Sequence, residues 1–398
     1  MKLTTQLLAV SSISLRSLPS RVASSAVIVM GTAGVVFVLL SVLALSTGLA
    51  DSLNETGSAD RAIVLHQQAA NEIGSSLPHD SVATILDAPG IAKDPAHRAI
   101  ASTEAIASVN LPRKDNGKLS TLILRGVSTD ELLRLRPELH LVQGRMFTAG
   151  LREIIVGKAA SERYANLGLG GRPNFGGDQW TVVGIFDSGG GAHDSEVMGD
   201  IDTALAAYQR TTYNSVVLKL DGPTGFSTLR AALQHDPTLS VDVFKEIDYY
   251  ARQSQTFASF LSLIAKAICT IMAIGAVFAA LNTMYSAVST RAVEIATLRA
   301  IGYGAVGVVV SVMIEALVLS ILGAAVGAGL AWAVFDGHTV SSLAGGGGLA
   351  QVVFHLHIGA ALFTLGIVWA CVVGLIGGLL PAIRAARIPV AVALRAIA

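Results

Sequence analysis

The chain has 398 residues, of which 52% are hydrophobic and only 14% are charged, and it carries no formal net charge at neutral pH. Soluble globular proteins contain about a quarter charged residues, so this composition indicates a membrane protein. The zero net charge gives no reason to expect nucleic-acid binding. Both cysteines, Cys269 and Cys371, lie in apolar runs, which argues against a disulfide framework and against a zinc site.

The amino-terminal segment is predicted to contain two helices. Residues 1–21 mix leucine and isoleucine with serine, lysine and arginine, which predicts an amphipathic helix at the membrane surface. Residues 22–50 carry no charge and exceed the roughly 20 residues that cross a bilayer, so they form a predicted transmembrane helix. A cleaved signal peptide is the alternative. A retained span is preferred, because a signal peptide has an apolar core of only about 7–15 residues.

Residues 51–254 predict a soluble domain, because they hold most of the acidic residues and many turn-forming residues. Short β-like runs alternate with single helical stretches, which indicates an α+β domain in two lobes. The glycine-rich patch and the residues that follow it, 189–198, predict a mobile loop. The predicted strands and helices are 62–65, 80–86, 120–124, 153–156, 180–186, 215–220 and 226–233.

Three further apolar runs predict transmembrane helices at about 257–288, 305–335 and 358–380. The positive-inside rule places both termini and residues 289–303 in the cytoplasm, with the large domain outside. The predicted fold is therefore an α-helical membrane protein with four transmembrane helices and a large α+β extracytoplasmic domain between the first and second. The basic residues beside the apolar runs are Lys2, Arg16, Arg21, Arg291, Arg299, Arg384, Arg387 and Arg395.

Motifs for catalysis and for cofactor binding are missing from the sequence. It has no phosphate-binding G-x-x-x-x-G-K-[ST] loop, so ATP hydrolysis would require a separate subunit. It also lacks G-x-S-x-G and H-E-x-x-H, and we predict no enzymatic activity, no cofactor and no metal site. His355 and His357 could share one face of a strand and bind a metal, but two histidines without a cysteine or nearby carboxylate are poor ligands. An interfacial loop is preferred there.

The segment 282–302, between the second and third predicted spans, joins charged and apolar residues at helical spacing. A short helix of this kind can dock in a groove of a partner; the alternative is a solvated loop whose charges only mark topology. Its pattern resembles the N-x-M…V-x-x-R-x-x-E-I…R-A-I-G signature of MacB/FtsX-type ABC transporter permeases. The matching residues are Asn282, Met284, Val288, Arg291, Glu294, Ile295, Arg299, Ala300, Ile301 and Gly302.

The resemblance extends over nearly the whole chain. Gly144-Arg145-Met146-Phe147, with EIIVGKAA and WTVVGIF, is similar to the family's periplasmic core. One departure is that Tyr303–Gly307 lacks the basic residues that often follow the A-I-G motif in the family. Two consequences are open: a weaker contact with the ATPase or a different choice of partner. The carboxy-terminal match comprises Pro381, Ala382, Arg384, Ala385, Arg387, Pro389, Ala393, Leu394 and Arg395.

The resemblance implies a MacB-like periplasmic domain at 51–254 and an FtsX-like permease domain at 255–398. It also implies a multi-pass inner-membrane protein that works as a dimer with a second copy or a paralogue. Its other implied partners are a cytoplasmic ABC ATPase and a periplasmic membrane-fusion adaptor. By mechanotransmission, the ATPase would drive motion of the periplasmic domain. The implied ATPase-coupling residues are Arg291, Glu294, Ile295, Arg299 and Gly302.

Three functions are compatible with that family. The preferred one is export of a substrate from the periplasm or outer leaflet, because an extracytoplasmic domain as large as 51–254 favours substrate handling. The alternatives are a signal transmitter that activates a periplasmic cell-wall hydrolase and a permease for lipoprotein release.

Charged residues in and beside the predicted spans each have two possible roles. Glu315 lies within the third predicted span, where a carboxylate is costly and needs a partner. A structural bond within or between subunits is preferred over a proton relay. The basic tail of Arg384, Arg387 and Arg395 is explained by topology, with direct ATPase contact as the alternative.

Overall fold

The computed structural model describes residues 22–301, 304–341 and 353–387. These residues form two compact units. The first, the inserted domain, comprises Gly48–Ala258 and Thr339–His355. The second, the membrane unit, comprises the remaining described residues. The predicted amphipathic helix at 1–21 lies outside the described residues.

A mixed β-sheet forms the centre of the inserted domain. Its strands are β1 Arg61–His66, β2 Ala101–Pro112, β3 Leu119–Val127, β4 His140–Gly144, β5 Glu153–Gly157, β8 Thr181–Asp187, β9 Glu196–Asp200, β10 Ser215–Lys219 and β11 Val241–Lys245. The strand order is β11-β1-β10-β2-β3-β9-β5-β8-β4. The pairs β3–β9 and β5–β8 are parallel, and the other neighbouring pairs are antiparallel. Two small two-stranded sheets are β6 Asn174–Phe175 with β7 Asp178–Gln179, and β12 Thr339–Ser341 with β13 Val353–His355.

Short helices cover the sheet. They are α2 His79–Leu86, α3 Thr129–Leu135, α4 Lys158–Arg163, α5 Ile201–Ala207, α6 Gly225–His235 and a 3₁₀ helix at Ala192–Ser195. One apolar cluster packs α2 and α6 onto β1, β10 and β11, and includes Ile85, Val216 and Leu229. A second lies on β2, β3, β5, β8 and β9, and includes Trp180 and Val197. A third cluster lies on β3, β5, β8 and β9 and includes Ile155, Phe186 and Met198. The described residues of the domain thus form three apolar clusters, and its two halves join where β10 pairs with β2.

The strands and helices predicted for this domain are confirmed by the structure. The mobile-loop prediction for 189–198 is wrong over most of its length. Its residues 192–195 form the 3₁₀ helix and its last three residues begin the buried strand β9. The carboxylate of Asp194 organises the turn, because it accepts the backbone N–H of Ser188 at 2.6 Å and of Gly190 at 2.9 Å. The sequence prediction also missed β2, β4, β9 and β11.

Within the part of the chain that the structure describes, four helices are long and apolar enough to cross a membrane, which confirms the predicted fold class. Their candidate spans are Ser25–Leu53, Ser259–Thr290, Ala305–Phe335 and Ala360–Arg387. The complete helices are α1 Val22–Thr56, α7 Glu246–Thr290, α9 Ala305–Phe335 and α10 Ala360–Arg387, and the short helix α8 Ala292–Ala300 lies between α7 and α9.

Glycines allow the spans to approach closely inside one chain. A methyl group on Gly327 of α9 would lie 2.9 Å from Cα of Ala33 in α1, and one on Gly323 would lie 2.7 Å from the carbonyl oxygen of Val29. Likewise, a methyl group on Gly378 of α10 would lie 2.8 Å from the Ala316 methyl in α9. The two G-x-x-x-G motifs, Gly323 with Gly327 in α9 and Gly374 with Gly378 in α10, therefore serve helix packing within the membrane unit.

Candidate functional site

The short helix α8 is separated from the long helix α7 by a single residue, Arg291. Its backbone N–H donates to the carbonyl of Val288 at 3.2 Å, and its carbonyl accepts the N–H of Ile295 at 2.9 Å. The residue has φ −104° and ψ 10°, outside the helical region of its neighbours. The chain direction therefore changes at Arg291, and α8 begins immediately after it.

The apolar side of α8 is held on the membrane unit. Ile295 is 8% exposed and belongs to a core cluster with Ile28, Met284 and Val312, which come from α1, α7 and α9. Burying a side chain of this size stabilises a structure by about 1.5–3 kcal/mol. Ile295 therefore fastens α8 to the helices of the membrane unit, and its predicted role in coupling stays a prediction.

The side chain of Arg291 is also buried, and it contacts two carboxylates. One guanidinium nitrogen lies 3.2 Å from a carboxylate oxygen of Glu315, which is buried within α9. The Nε atom lies 3.8 Å from a carboxylate oxygen of Glu294 on α8. Glu315 therefore forms an ion pair within the same chain. This contact agrees with a structural role for Glu315, and the choice between that role and a proton relay stays a prediction.

The outer side of α8 is exposed. Glu294 is 68% exposed and Ile301, just beyond the helix, is 72% exposed, while Arg299 is half-buried. The five predicted coupling residues therefore divide: Glu294 and Arg299 are accessible, and Arg291 and Ile295 are buried. The fifth, Gly302, lies outside the described residues. The contact of this surface with an ATPase stays a prediction.

The basic tail is described only in part. The guanidinium of Arg384 lies 5.4 Å from the ring centroid of Tyr285 in α7, a distance suited to a cation–π contact. Arg387 is exposed in the last turn of α10. Arg395 lies outside the described residues. The Arg384 contact within the chain agrees with an anchoring role and leaves ATPase contact untested.

The other end of α7 begins inside the inserted domain. Its first residue, Glu246, is fully buried and lies 2.5 Å from Nε of Arg61 and 2.9 Å from a guanidinium nitrogen of Arg136. Its carboxylate also accepts the backbone N–H of Ser58 at 3.0 Å. Burial alone would raise the pKa of Glu246, but the attraction of the two arginines outweighs it and lowers that pKa.

A third buried arginine, Arg125, extends this charge cluster into the sheet. Arg125 of β3 binds Glu196 of β9 through two nitrogens at 2.8 and 2.9 Å, and Glu72 at 3.0 Å. It also contacts Glu104 of β2, which faces Arg136 at 3.5 Å. Burial would raise the pKa of Glu196, yet Arg125 and the neighbouring His193 hold it well below its usual range. We call these residues, with Arg61 and Glu246, the root network.

Helix α1 ends beside the root network. The hydroxyl of Thr56 accepts the backbone N–H of Ala192 at 2.6 Å, and the hydroxyl of Ser52 donates to the carbonyl of Gly190 at 3.0 Å. At the following residue, Gly57, an added methyl group would lie 2.7 Å from Cα of Ile247 in α7. The end of α1 and the beginning of α7 are therefore in backbone contact within the inserted domain.

The first turns of α7 carry two further buried side chains. Tyr249 accepts the backbone N–H of Glu72 on its hydroxyl at 3.1 Å, and Gln253 donates to the same hydroxyl at 3.0 Å. Tyr250 is buried beside it, with ring centroids 5.3 Å apart. Burial raises the pKa of both tyrosines, so both hydroxyls stay protonated at physiological pH. Charge, hydrogen bonds and apolar packing thus all fix the start of α7.

Two motifs of the inserted domain, Gly144-Arg145-Met146-Phe147 and EIIVGKAA, are joined by an ion pair. Arg145 binds Glu153 through two nitrogens, at 2.7 and 2.5 Å, and the backbone N–H of Thr148 donates to the same carboxylate at 3.0 Å. The hydrogen bond from Arg145 is the main cause that lowers the pKa of Glu153 to about 2. The pair closes the turn between β4 and β5.

A cleft of about 660 Å³ lies elsewhere in the inserted domain, beside the 189–190 turn. Its acidic and basic lining residues are equal in number, and some already form ion pairs, such as Lys158 with Asp187 at 3.2 Å. This balance does not favour a ligand of either charge.

Comparison with known proteins identifies the family to which the chain belongs. Residues 25–236 match the model of the MacB-like periplasmic core domain, and residues 266–390 match that of the FtsX-like permease C-terminal domain. The chain is therefore a multi-pass permease component of an ABC transporter, a component that is not itself the ATPase. It belongs to the MacB/FtsX-type permease family, whose members work with a cytoplasmic ATPase.

Solved structures of other proteins are similar to about half of the chain. The extracellular domain of the noncanonic ABC-type transporter YknZ from Gram-positive bacteria is 15% identical, with 46% of this chain and 99% of that chain covered and a TM-score of 0.35. The periplasmic region of MacB from Actinobacillus actinomycetemcomitans is 14% identical, with coverages of 50% and 94% and a TM-score of 0.37. No curated protein matches the chain significantly.

Proposed function

We propose that this permease couples ATP hydrolysis by a separate cytoplasmic ATPase to conformational change in the inserted domain, and so exports a substrate from the periplasm or outer leaflet. In this proposal α8 and both termini are cytoplasmic, the inserted domain is periplasmic, and the membrane is the inner membrane. Basic residues beside α8 and after α10 support that orientation, as does the lack of lysine and arginine in the connection 336–357. A dimer and a periplasmic adaptor belong to the same proposal.

The observation that carries the proposal is the continuity of α7. This helix has 45 residues, which at 1.5 Å per residue corresponds to about 68 Å. Its first residue, Glu246, is bound in the root network of the inserted domain. Its last residue, Thr290, is followed by Arg291 and α8. A displacement of α8 would therefore act on a helix that is firmly bonded to the inserted domain.

The exposed side of α8 offers the ATPase a contact surface. Glu294 and Ile301 provide a charge and an apolar side chain that the membrane unit does not cover. Because Ile295 holds the opposite side on the helices, force applied to the exposed side would reach the spans.

The test is purification of the tagged, full-length protein from its native membrane with the ATPase that accompanies it. We expect Glu294→Arg to lower recovery of the ATPase about tenfold, because a charge reversal at a contact surface opposes binding. Membrane insertion and yield of the permease should not change, since this side chain is exposed.

Asp80→Arg is the matched control, because Asp80 is another exposed carboxylate in the first turn of a short helix, α2 of the inserted domain. It should leave recovery of the ATPase unchanged. Failure of the wild-type protein to retain any ATPase would refute the proposed function. Equal recovery with Glu294→Arg and with the wild type would refute the contact surface.

A further inference from the structure

The buried ion pair of Arg291 and Glu315 links the start of the short helix α8 to the membrane helix α9. Arg291 stands at the break between α7 and α8, and Glu315 lies about 15 Å along α9 from its first residue, at 1.5 Å per residue. Both side chains are more than nine-tenths buried. A charge in such a place is costly unless a partner of opposite charge compensates it. The two opposite charges therefore compensate each other at 3.2 Å.

The second contact of Arg291 leads to the surface. Its Nε atom lies 3.8 Å from the carboxylate of Glu294, which is 68% exposed, while another nitrogen lies 3.2 Å from the buried carboxylate of Glu315. One rigid guanidinium therefore faces a carboxylate on the exposed side of α8 and a carboxylate inside α9. The guanidinium donates a hydrogen bond to Glu315 and attracts Glu294 by charge alone, and its planar, extended shape lets one side chain lie beside both carboxylates, whereas a lysine presents only a point charge.

We propose that Arg291 is a positioning residue that ties the coupling helix α8 to the membrane helix α9 through Glu315. This inference rests on the proposed function, because it concerns how α8 acts once an ATPase is bound. Arg291 does not contact the ATPase. It keeps α8 at a defined angle to α7, so that force on Glu294 is passed to α9 as well as to α7.

Hydrogen exchange of the full-length protein in lipid nanodiscs tests the position of α8 without any partner. Arg291→Met removes the guanidinium that lies 3.2 Å from the buried carboxylate of Glu315, so we expect amide exchange in Ala292–Ala300 to rise about tenfold. Glu315→Leu should cause a smaller rise, since Arg291 can still turn towards Glu294. The double variant should exchange no faster than Arg291→Met alone, because the two residues act as one pair.

ATPase stimulation separates positioning from direct contact. Arg291→Met should retain the ATPase in the purification but lose most of the transport-coupled stimulation of ATP turnover. Glu294→Arg should lose the ATPase itself. The matched control is Arg384→Met, which removes a basic residue whose guanidinium lies on Tyr285 and should leave exchange in α8 unchanged.

The outcomes are distinguishable from those of the proposed function. Unchanged exchange in α8 for Arg291→Met, or additive effects in the double variant, would overturn the positioning role even if the ATPase is retained normally. Loss of the ATPase in Arg291→Met to the same extent as in Glu294→Arg, with unaltered exchange, would show direct contact and also overturn it. If no ATPase accompanies the wild type, the exchange measurements still decide whether the pair holds α8.

Discussion

The two ends of helix α7 are both held by buried charges, but in different ways. At its first residue, Glu246 shares a network with Arg61, Arg136 and the backbone of Ser58, and further carboxylates surround Arg125 nearby. Beyond its other end, Arg291 lies 3.2 Å from the buried carboxylate of Glu315. A network with many described ion pairs keeps its geometry when one contact is strained, whereas an attachment with fewer such contacts depends more on each of them. We therefore regard the root network as the stronger attachment of α7 and the Arg291–Glu315 pair as the weaker one.

The strongest test of this comparison is Arg125→Met. The substitution removes the guanidinium that Glu72, Glu104 and Glu196 share in the interior, although Glu104 still faces Arg136 at 3.5 Å and Glu196 still faces His193 at 2.9 Å. We expect the inserted domain to lose about 3–5 kcal/mol of its free energy of unfolding. Denaturant titration of the full-length protein, followed by the fluorescence of the fully buried Trp180 after replacement of Trp332 and Trp369, measures the loss.

The control for that experiment is Arg98→Met. Arg98 also pairs with a carboxylate, Asp94 at 2.9 Å, but it is 66% exposed. Its loss should change the unfolding free energy by no more than about 0.5 kcal/mol. Similar losses for the two variants would contradict the view that the root network anchors the domain.

A smaller effect is expected for Glu246→Gln. Arg61 keeps Glu138 at 2.8 Å and Arg136 keeps Glu104 at 3.5 Å, so both arginines retain a counter-charge. We expect a loss of about 2 kcal/mol, because a neutral amide replaces a buried carboxylate but can still accept hydrogen bonds. Exchange in the first turns of α7 should rise less than exchange in α8 rises for Arg291→Met. A larger rise at the start of α7 in Glu246→Gln than in α8 in Arg291→Met would show that the root network is the weaker attachment.

The smallest effect concerns acid stability and the pair Arg145–Glu153. The pKa of Glu153 is about 2 in the folded protein, below the roughly 4.3 of an unfolded glutamate, so the pair stabilises the fold above that higher value. This stabilisation is lost as the pH falls towards 2. Glu153→Gln should therefore be less stable than the wild type at pH 7, and the difference should shrink between about pH 4.3 and 2. Thermal unfolding across this range would show it, and a difference independent of pH would exclude the proposed cause.

The membrane architecture was predictable from the sequence because length and hydropathy decide it almost alone. The missed strands have a physical explanation. Strand β2 contains the buried Glu104 and strand β9 begins at the buried Glu196, so charges interrupt the apolar pattern that reveals a strand. Single charges within apolar runs, such as Arg125 in LILRGV, were the available signal for the root network.

The ion pair of Arg291 and Glu315 could not be predicted from the sequence either. The sequence marked both residues for separate reasons, one as part of a motif and the other as an acid within a span. They are 24 residues apart and lie on different helices, so no periodicity links them. Only the packing of α9 beside α8 brings them together.

The close approach at Gly57 has a consequence for the environment in which the protein can operate. An added methyl group there would lie 2.7 Å from Cα of Ile247 and 2.9 Å from the carbonyl oxygen of Glu246, so atomic size sets the spacing of α1 and α7 at this point. Excluded volume does not respond to ionic strength, whereas attraction between exposed charges weakens as salt is added. The spacing of the two helices at this point should therefore be the same in dilute and in concentrated salt.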